Sequence, residues 1–268
     1  MVLLKNKSIE KRLKKLKIIF LDMDGTIYMG NDIFPWTIDF LKGLTAKNIR
    51  YVFLTNNSSR SADAYVNKLA KMGIEASIED IYTSGDATID YLKEHKVKKI
   101  FLMGTPSLEE AFVKAGFKLS DNNPDMIVMG YDKTLTYQKL NTAYHLIKHG
   151  VPWCATHPDM LCPTPTGFDI DLGAMMQALI SATGVEPKVI GKPNAEMTGP
   201  LLNRLGVSSE YVAIMGDRLY TDIKTGLNGG LISILVLTGE ATKEDVKTSE
   251  VAPHIMIDKN IDLLDFFS

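Results

Sequence analysis

The stretch that decides the fold is Lys17–Thr26, which reads KIIFLDMDGT. Its apolar part, Ile18–Leu21, is rich in β-branched and aromatic residues, a pattern typical of a parallel strand buried on both faces. The run stops at Asp22, a second carboxylate follows at Asp24, and Gly25 lets the backbone turn tightly. Open α/β sheets bind ligands at the carboxyl ends of their strands, which is where these acids are expected. Taken alone, the stretch also fits an ordinary Asp-Gly turn.

Strand and helix patterns alternate along the rest of the chain, which predicts an α/β fold with parallel sheets. Strands are predicted at Tyr51–Leu54, near Ile81, and at Lys99–Met103, Met126–Met129, Val151–Ala155, Glu186–Ile190, Tyr211–Met215 and Leu231–Leu237. Helices are predicted at Thr37–Asn48, Ser61–Met72, Ala87–Glu94, Leu108–Lys114, Tyr137–Lys148, Gly173–Thr183 and Ala195–Leu205. The simplest division is a core of residues 1–84 and 187–268, with residues 85–186 inserted as an α/β cap.

Composition and charge exclude several classes of function. The chain has 268 residues, of which 45% are hydrophobic and 23% charged, as in ordinary globular proteins. The formal net charge of -2 provides no global field for nucleic acid, and no apolar stretch is long enough to span a bilayer. Cys154 and Cys162 are too few for a disulfide framework, which favours a cytoplasmic location. We therefore expect neither a nucleic acid nor a membrane partner.

The first segment, Met1–Lys17, is rich in lysine and lacks the apolar centre of a secretory signal. Ile9, Leu13 and Leu16 recur at helical spacing and predict a basic amphipathic helix. Two interpretations stay open: the helix binds a membrane surface or an acidic partner, or it is a solvated helix that packs on the domain.

Polar side chains follow three predicted core strands where each strand ends. They are the Asp22–Asp24 pair, Thr55–Asn56 and Gly216–Asp217, and a lysine at Lys192 precedes a predicted helix. Parallel strands bring their carboxyl ends together, so these residues are expected to share one crevice. Clustered carboxylates with few other ligands indicate Mg²⁺. Lysine, hydroxyl and amide groups beside them make a site for a phosphate.

The set resembles the haloacid dehalogenase (HAD) superfamily, over nearly the whole chain. Its four motifs are similar, in order, to Asp22–Thr26, Leu54–Asn57, Gly191–Pro193 and Gly216–Asp222. Within the superfamily the chain looks like the NagD and 4-nitrophenylphosphatase branch. The residues that carry this likeness are Thr-Asn-Asn-Ser, Gly-Lys-Pro and Gly-Asp-Arg-Leu-Tyr-Thr-Asp. That resemblance implies a Rossmann-like parallel-sheet core with a C2-type α/β cap between the second and third motifs.

The resemblance also implies catalytic roles. Asp22 would be the nucleophile that forms an aspartyl-phosphate, and Asp24 would act as general acid and then as general base. Mg²⁺ would be held by the Asp22 carboxylate, the main-chain carbonyl of Asp24 and the carboxylate of Asp217.

Other residues would hold the phosphate or support the site. Thr55, Asn56 and Lys192 would bind the phosphoryl oxygens. Thr26, at the end of the first motif, is expected to support the site without touching the substrate. Asp222 has two open interpretations: it orients Lys192 or a metal-bound water, or it caps the adjacent helix.

Two residues of the inserted segment are candidates for contact with the substrate's leaving group. His157 and Asp132 each follow a predicted cap strand. For both, a plain turn in which the side chain only stabilises the loop is the alternative. Pairing of two copies through the cap is a further expectation of the resemblance.

The sequence therefore predicts a Mg²⁺-dependent phosphatase that acts on a small phosphate monoester, such as a sugar phosphate or a nucleoside monophosphate, with p-nitrophenyl phosphate as artificial substrate. Carbon–halogen hydrolysis is the nearest alternative reaction, and it needs neither the second acid Asp24 nor a metal ligand at Asp217. The alternative from another class is a phosphate-binding or regulatory protein without turnover.

Overall fold

The computed structural model describes residues 2–3, 7–164 and 167–267, and they form two compact units. The first unit contains the chain up to Thr55, Tyr65–Tyr82 and the chain from Lys192 onward. The second unit contains Asn56–Ala64 and Thr83–Gly191. The assignment of residues 85–186 to a functional cap, with residues 1–84 and 187–268 as the core, stays a prediction.

The strands of both units are numbered along the chain. They are β1 (Val2–Leu3), β2 (Ile18–Leu21), β3 (Tyr28–Met29), β4 (Asp32–Ile33), β5 (Arg50–Thr55), β6 (Ile81–Thr83), β7 (Lys99–Met103), β8 (Lys118–Leu119), β9 (Met126–Met129), β10 (Trp153–Ala155), β11 (Leu161–Thr164), β12 (Gly167–Ile170), β13 (Lys188–Val189), β14 (Val212–Gly216), β15 (Ile232–Val236) and β16 (Ile255–Ile257).

The helices are α1 (Lys7–Leu13), α2 (Thr37–Ala46), α3 (Ala62–Lys71), α4 (Ser84–Glu94), α5 (Pro106–Lys114), α6 (Tyr137–Lys148), α7 (Leu172–Thr183), α8 (Gly199–Leu205), α9 (Lys224–Asn228) and α10 (Lys243–Thr248). Short 3₁₀ turns cover Ile78–Asp80, Ala195–Met197, Ser209–Tyr211 and Asn260–Phe267, and a π-helical turn covers Leu219–Ile223. No helix in the described ranges is long and apolar enough to cross a membrane.

The sheet of the first unit is organised around β2. Among the described residues its strand order is β1-β16-β15-β14-β2-β5-β6. β2 pairs in parallel with β14 on one side, where Ile19 lies opposite Ala213, and with β5 on the other, where Ile19 lies opposite Tyr51. All four residues of β2 are buried, as the apolar run predicted. The strand therefore delivers Asp22 to the middle of the sheet's carboxyl edge.

The second unit has its own parallel sheet, in the strand order β13-β10-β9-β7-β8. Met103, Ile127, Trp153 and Met176 belong to a buried hydrophobic cluster on this sheet, formed together with α6 and α7. The predicted alternation of strand and helix is thus confirmed in both units, and the α/β class with it.

The hairpin β11–β12 is not among the strands predicted from the sequence, and its segment contains Pro163, a residue type that is uncommon in strands. Pro165 and Thr166 lie outside the described residues. The pairing of Leu161 with Ile170 places both on one face of the hairpin, where Phe168 also lies. All three side chains are more than half exposed. Pairing of two copies through this unit stays a prediction.

Two further differences concern the end of the chain. Leu231–Leu237 was expected to be the last strand, and β16 lies beyond it. The helix predicted at Ala195–Leu205 is wrong as one element, since a 3₁₀ turn precedes α8. Pro200 explains the break: it has no N–H for a continuous helix, and it is tolerated in the first turn of α8.

The basic segment at the start forms helix α1 in its described part, while residues 1 and 4–6 lie outside the described residues. Ile9, Leu13 and Leu16 are buried, which confirms the predicted amphipathic pattern. Arg12 donates to the backbone carbonyls of Ser209 and Gly230, at 3.2 and 2.8 Å. These contacts favour the interpretation of α1 as a helix that packs on its own domain.

Candidate active site

The ammonium group of Lys192 is the centre of the candidate site in the first unit, and the residue is only 3% exposed. Its Nζ lies 2.5 Å from Oδ1 of Asp22 and 2.6 Å from Oδ1 of Asp222, and it donates to the carbonyl of Leu54 at 3.3 Å. Three separate segments therefore converge on one cation. Oδ2 of Asp222 accepts the backbone N–H of Arg218 at 3.2 Å. Both interpretations of Asp222, orienting the lysine and capping the helical turn, thus have a contact to support them.

Burial and charge shift the ionisation of these groups. Burial raises the pKa of Asp22 well above its usual value, Lys192 lowers it, and the nearby carboxylates of Asp222 and Asp217 raise it again. For Lys192, burial lowers the pKa, but Asp22 and Asp222 together raise it further, to above its ordinary value. The lysine therefore stays protonated at neutral pH and supplies a buried positive charge beside Asp22.

Asp217, at the end of β14, provides the test of whether a metal ion fits. Its Oδ2 accepts the backbone N–H of Glu240 at 2.7 Å, whereas Oδ1 is buried and has no hydrogen-bond partner among the described residues. Burial, and then the charge of Asp222, raise the pKa of Asp217 to about 7. One carboxylate oxygen from each of Asp22, Asp217 and Asp222 lies within 4.8 Å of the others. A divalent cation would give Oδ1 a partner and offset this repulsion, so the residues fit a metal ion.

The second acid, Asp24, begins a tight turn. Its Oδ1 accepts the backbone N–H of Gly30 at 3.4 Å, and burial raises the pKa of its carboxyl. Thr26 is fully buried behind this turn, and its hydroxyl has no hydrogen-bond partner in the described ranges. Its carbonyl accepts Nδ2 of Asn260 at 3.0 Å. The supporting role of Thr26, and the main-chain ligand of Asp24, stay predictions.

Thr55 and Asn56 lie where the chain passes from the first unit to the second. Thr55 ends β5 in the first unit, and Asn56 is the first residue of the second. Nδ2 of Asn56 donates to both carboxylate oxygens of Asp159, at 3.2 and 3.1 Å, so the orientation of the amide is fixed. A Cβ on Gly191 would overlap the carbonyl of Thr156 and approach Oδ1 of Asn56. Contact of Thr55 and Asn56 with a phosphate stays a prediction.

The two residues predicted to meet the leaving group, Asp132 and His157, are both buried in the second unit. Oδ2 of Asp132 lies 2.6 Å from Nζ of Lys139, and its Oδ1 accepts a backbone N–H two residues on, at 2.8 Å. The ring nitrogens of His157 lie 2.9 Å from Oδ1 of Asp171 and 3.0 Å from Oγ1 of Thr156. The polar atoms of both side chains therefore have partners within the unit, which favours the loop-stabilising alternative. Their role in substrate binding stays a prediction.

The loop Thr238–Glu240 was not among the predicted site elements, yet it follows β15 and contacts Asp217 through the amide of Glu240. No role was predicted for Arg218, whose Nε lies 2.9 Å from Oε2 of Glu240. A signal was present, because the loop stands at the carboxyl end of a buried parallel strand. The rule that identified Asp22 applies equally to this loop.

Comparison with known proteins agrees with this geometry. A family model described as haloacid dehalogenase-like hydrolase matches residues 19–118, and a second, for HAD-like hydrolases, matches residues 189–263. Acid sugar phosphatase of Staphylococcus aureus is 35% identical over 243 residues, which are 90% of this chain and 94% of that protein. The crystal structure of 4-nitrophenylphosphatase from Thermotoga maritima has a TM-score of 0.92 and 42% identity, over 96% of this chain and 99% of that one. NagD from E. coli K-12 has a TM-score of 0.87 and 30% identity, over 92% of this chain and 98% of that one.

These similarities extend over almost the whole chain, so they include both compact units. They confirm the predicted fold class, a Rossmann-like core with an inserted α/β cap. The four motifs found in the sequence lie within the matched residues. The chain belongs to the haloacid dehalogenase-like hydrolase family, and within it to the NagD-like branch of phosphatases.

Proposed function

We propose that the protein hydrolyses small phosphate monoesters through a covalent aspartyl-phosphate on Asp22, with Mg²⁺ as its metal ion. The observation that carries the proposal is the asymmetric environment of the Asp22 carboxylate. Among the described residues, the Asp22 carboxylate accepts a hydrogen bond from Lys192 only, and it accepts it at Oδ1. The other oxygen, Oδ2, is thereby left for bond formation with phosphorus.

The reaction proceeds in two steps. Oδ2 of Asp22 forms a bond to phosphorus as the bond to the leaving oxygen breaks, and that oxygen takes a proton from Asp24. Asp24 then accepts a proton from the water that attacks the aspartyl-phosphate, which releases inorganic phosphate and regenerates Asp22. The raised pKa of Asp24, caused by burial, supports its role as the acid of the first step.

Positive charge is needed because an anionic nucleophile must approach an anionic ester. Lys192 supplies part of it, and Thr55 and Asn56 would donate hydrogen bonds to the phosphoryl oxygens. Mg²⁺, held by Asp22, Asp217 and the main chain of Asp24, would offset the negative charge that nucleophile and phosphate bring together.

The substrate class is proposed from chemistry and from the relatives' names. The relatives are an acid sugar phosphatase and a 4-nitrophenylphosphatase. We infer that sugar phosphates or similarly small esters such as nucleoside monophosphates are substrates, and that p-nitrophenyl phosphate serves as an artificial one. Cys154 and Cys162 are not joined to each other in a disulfide, which supports a reducing, cytoplasmic location.

A metal experiment tests this function. Excess chelator is expected to abolish hydrolysis of p-nitrophenyl phosphate, and added Mg²⁺ to restore it, because Asp217 and Asp22 need a cation between them. Ca²⁺ is expected to inhibit, since it takes more ligands at longer distances and would engage both oxygens of the nucleophile. Release of phosphate is measured, with the melting temperature as a control for folding. Full activity in excess chelator would contradict the proposed metal dependence. Binding of phosphate without turnover would favour a regulatory protein. Release of halide from haloacids would favour a dehalogenase.

Replacing Asp24 with Asn tests the general acid. We expect kcat/KM to fall about a hundredfold or more for alkyl phosphates and far less for p-nitrophenyl phosphate. The reason is that an aryl oxide is stable as an anion and needs little help from an acid. The ratio kcat/KM is the right quantity because it reports formation of the aspartyl-phosphate and not its hydrolysis. Asp39→Asn, at an exposed position of α2, is the matched control. Equal losses for the two ester types would remove Asp24 from this role.

A further inference from the structure

The loop Thr238–Glu240 lies at the carboxyl end of β15, the strand that pairs in parallel with β14. β14 ends at the residue before Asp217. Neighbouring parallel strands bring their ends together, so the loop is placed beside Asp217 by the sheet itself. None of the four sequence motifs includes this loop.

The loop holds Asp217 through main-chain groups. The amide of Glu240 donates to Oδ2 of Asp217 at 2.7 Å, and the amide of Ala241 donates to its main-chain carbonyl at 3.0 Å. The carboxylate is therefore fixed through one oxygen only. Its other oxygen, Oδ1, is the buried atom that has no partner among the described residues.

The same loop is tied to the segment that carries the other two catalytic acids. Oγ1 of Thr238 donates to the carbonyl of Gly25 at 2.6 Å, and Gly25 directly follows Asp24. Gly25 has a φ of +81°, and a Cβ there would overlap the carboxylate of Asp217. Loop, turn and carboxylate are thus packed against one another without room for a methyl group.

Gly239 closely approaches the carboxylate of Asp217. A Cβ built on it would overlap Oδ2 and Cγ of Asp217. Its backbone is not in the left-handed region, so alanine is compatible with the chain conformation there. The effect of an added methyl group would therefore be exerted on the position of the carboxylate.

We infer that the loop Thr238–Glu240 positions Asp217 for the metal ion, with Gly239 and Thr238 as positioning residues. The loop holds Oδ2 of Asp217 and leaves Oδ1 of the same carboxylate directed to the cation. The inference rests on the proposed metal-dependent function. Groups that orient a metal ligand change metal affinity by about ten- to a hundredfold when they are altered. The expected defect is thus one of metal binding and not of folding.

The test is the dissociation constant for Mg²⁺, measured by calorimetric titration of the full-length protein. Gly239→Ala is expected to raise this Kd about tenfold or more, with the melting temperature in chelator close to that of the native protein. Gly199→Ala is the matched control, because a Cβ at Gly199 meets nothing within 4 Å. The control is expected to bind Mg²⁺ like the native protein.

A second pair of variants decides the matter should Gly239→Ala fail to fold. Thr238→Val keeps the shape of the side chain and removes its hydrogen bond to Gly25, whereas Thr238→Ser keeps the hydroxyl. We expect the valine variant to bind Mg²⁺ at least about threefold more weakly and the serine variant to bind normally. Native-like Kd values for Gly239→Ala and Thr238→Val would overturn the inference while leaving the proposed function intact. A native protein that binds no Mg²⁺ would overturn the proposed function, and the inference with it.

Discussion

Replacing Asp22 with Asn is expected to lower kcat for every phosphate ester by at least about a thousandfold, a loss of roughly 4 kcal/mol in transition-state stabilisation. An amide has nearly the shape of the carboxylate but is not a nucleophile for phosphorus. The fold should survive, because burial already raises the pKa of Asp22 and the cluster loses one repelling charge. Asp222 stays as the second carboxylate partner of Lys192.

The measurement is steady-state turnover at Mg²⁺ concentrations well above the native Kd, so that weaker metal binding is not mistaken for lost chemistry. Circular dichroism and the melting temperature report on folding, and Asp39→Asn controls for an Asp-to-Asn change at an exposed position of the same unit. Acid quenching during turnover should trap phosphate on the native protein and none on the variant. Activity above about a thousandth of the native kcat would show that Asp22 is not the nucleophile.

Replacing Lys192 with Ala is expected to lower turnover of all esters by a similar factor, about a hundred- to a thousandfold. The estimate is typical for loss of one donor that stabilises transition-state charge. The reason for uniformity is that Lys192 contacts Asp22 and not a group that differs between substrates. A panel of alkyl and aryl phosphates is the measurement. Lys192→Arg, which keeps the charge, is expected to retain more activity. A loss that depends strongly on the leaving group would contradict the assignment.

The same variant has a stability cost that depends on pH. Removing the partner of a buried ion pair typically costs about 3 to 5 kcal/mol, because a charge is left without compensation. In the native protein Lys192 lowers the pKa of Asp22, so its loss raises that pKa further above the unfolded value. A raised folded-state pKa gives stability that is present at low pH and lost as pH rises. The free energy of unfolding of Lys192→Ala should therefore approach the native value at pH 4 and fall below it at pH 8.

The residue types in the sequence pointed to several side chains of the candidate site. Asp22, Asp217 and Lys192 were found because an apolar run, a carboxylate and a Gly-Lys-Pro sequence are each visible in the residue types. The structure brings these three together in one unit. For Asp22 and Asp217 the proximity follows from topology, since a parallel sheet collects the ends of its strands at one edge.

Other parts could not be read from residue types. Glu240 holds Asp217 through a backbone amide, a group that every residue except proline offers, and Gly239 matters only because a side chain is absent. His157 stands at a strand end like Asp22, yet its ring is bonded to Asp171, the cap of helix α7. Position at a strand end therefore does not identify the partners of a residue. The partners of a side chain are decided by tertiary contacts.

The order of the strands has a consequence for synthesis of the chain. β2, which directly precedes Asp22, pairs with β14, and residues 22–211 are made between the two strands. At typical ribosomal rates β14 appears roughly ten to forty seconds after β2. The strands of the second unit, from β7 to β13, are contiguous and precede β14, so that unit has all its strands available first. Until then β2 has one edge open, and Asp22 does not have Asp217 beside it. The emerging polypeptide is thus unable to assemble the complete acidic cluster before Asp222 has been translated.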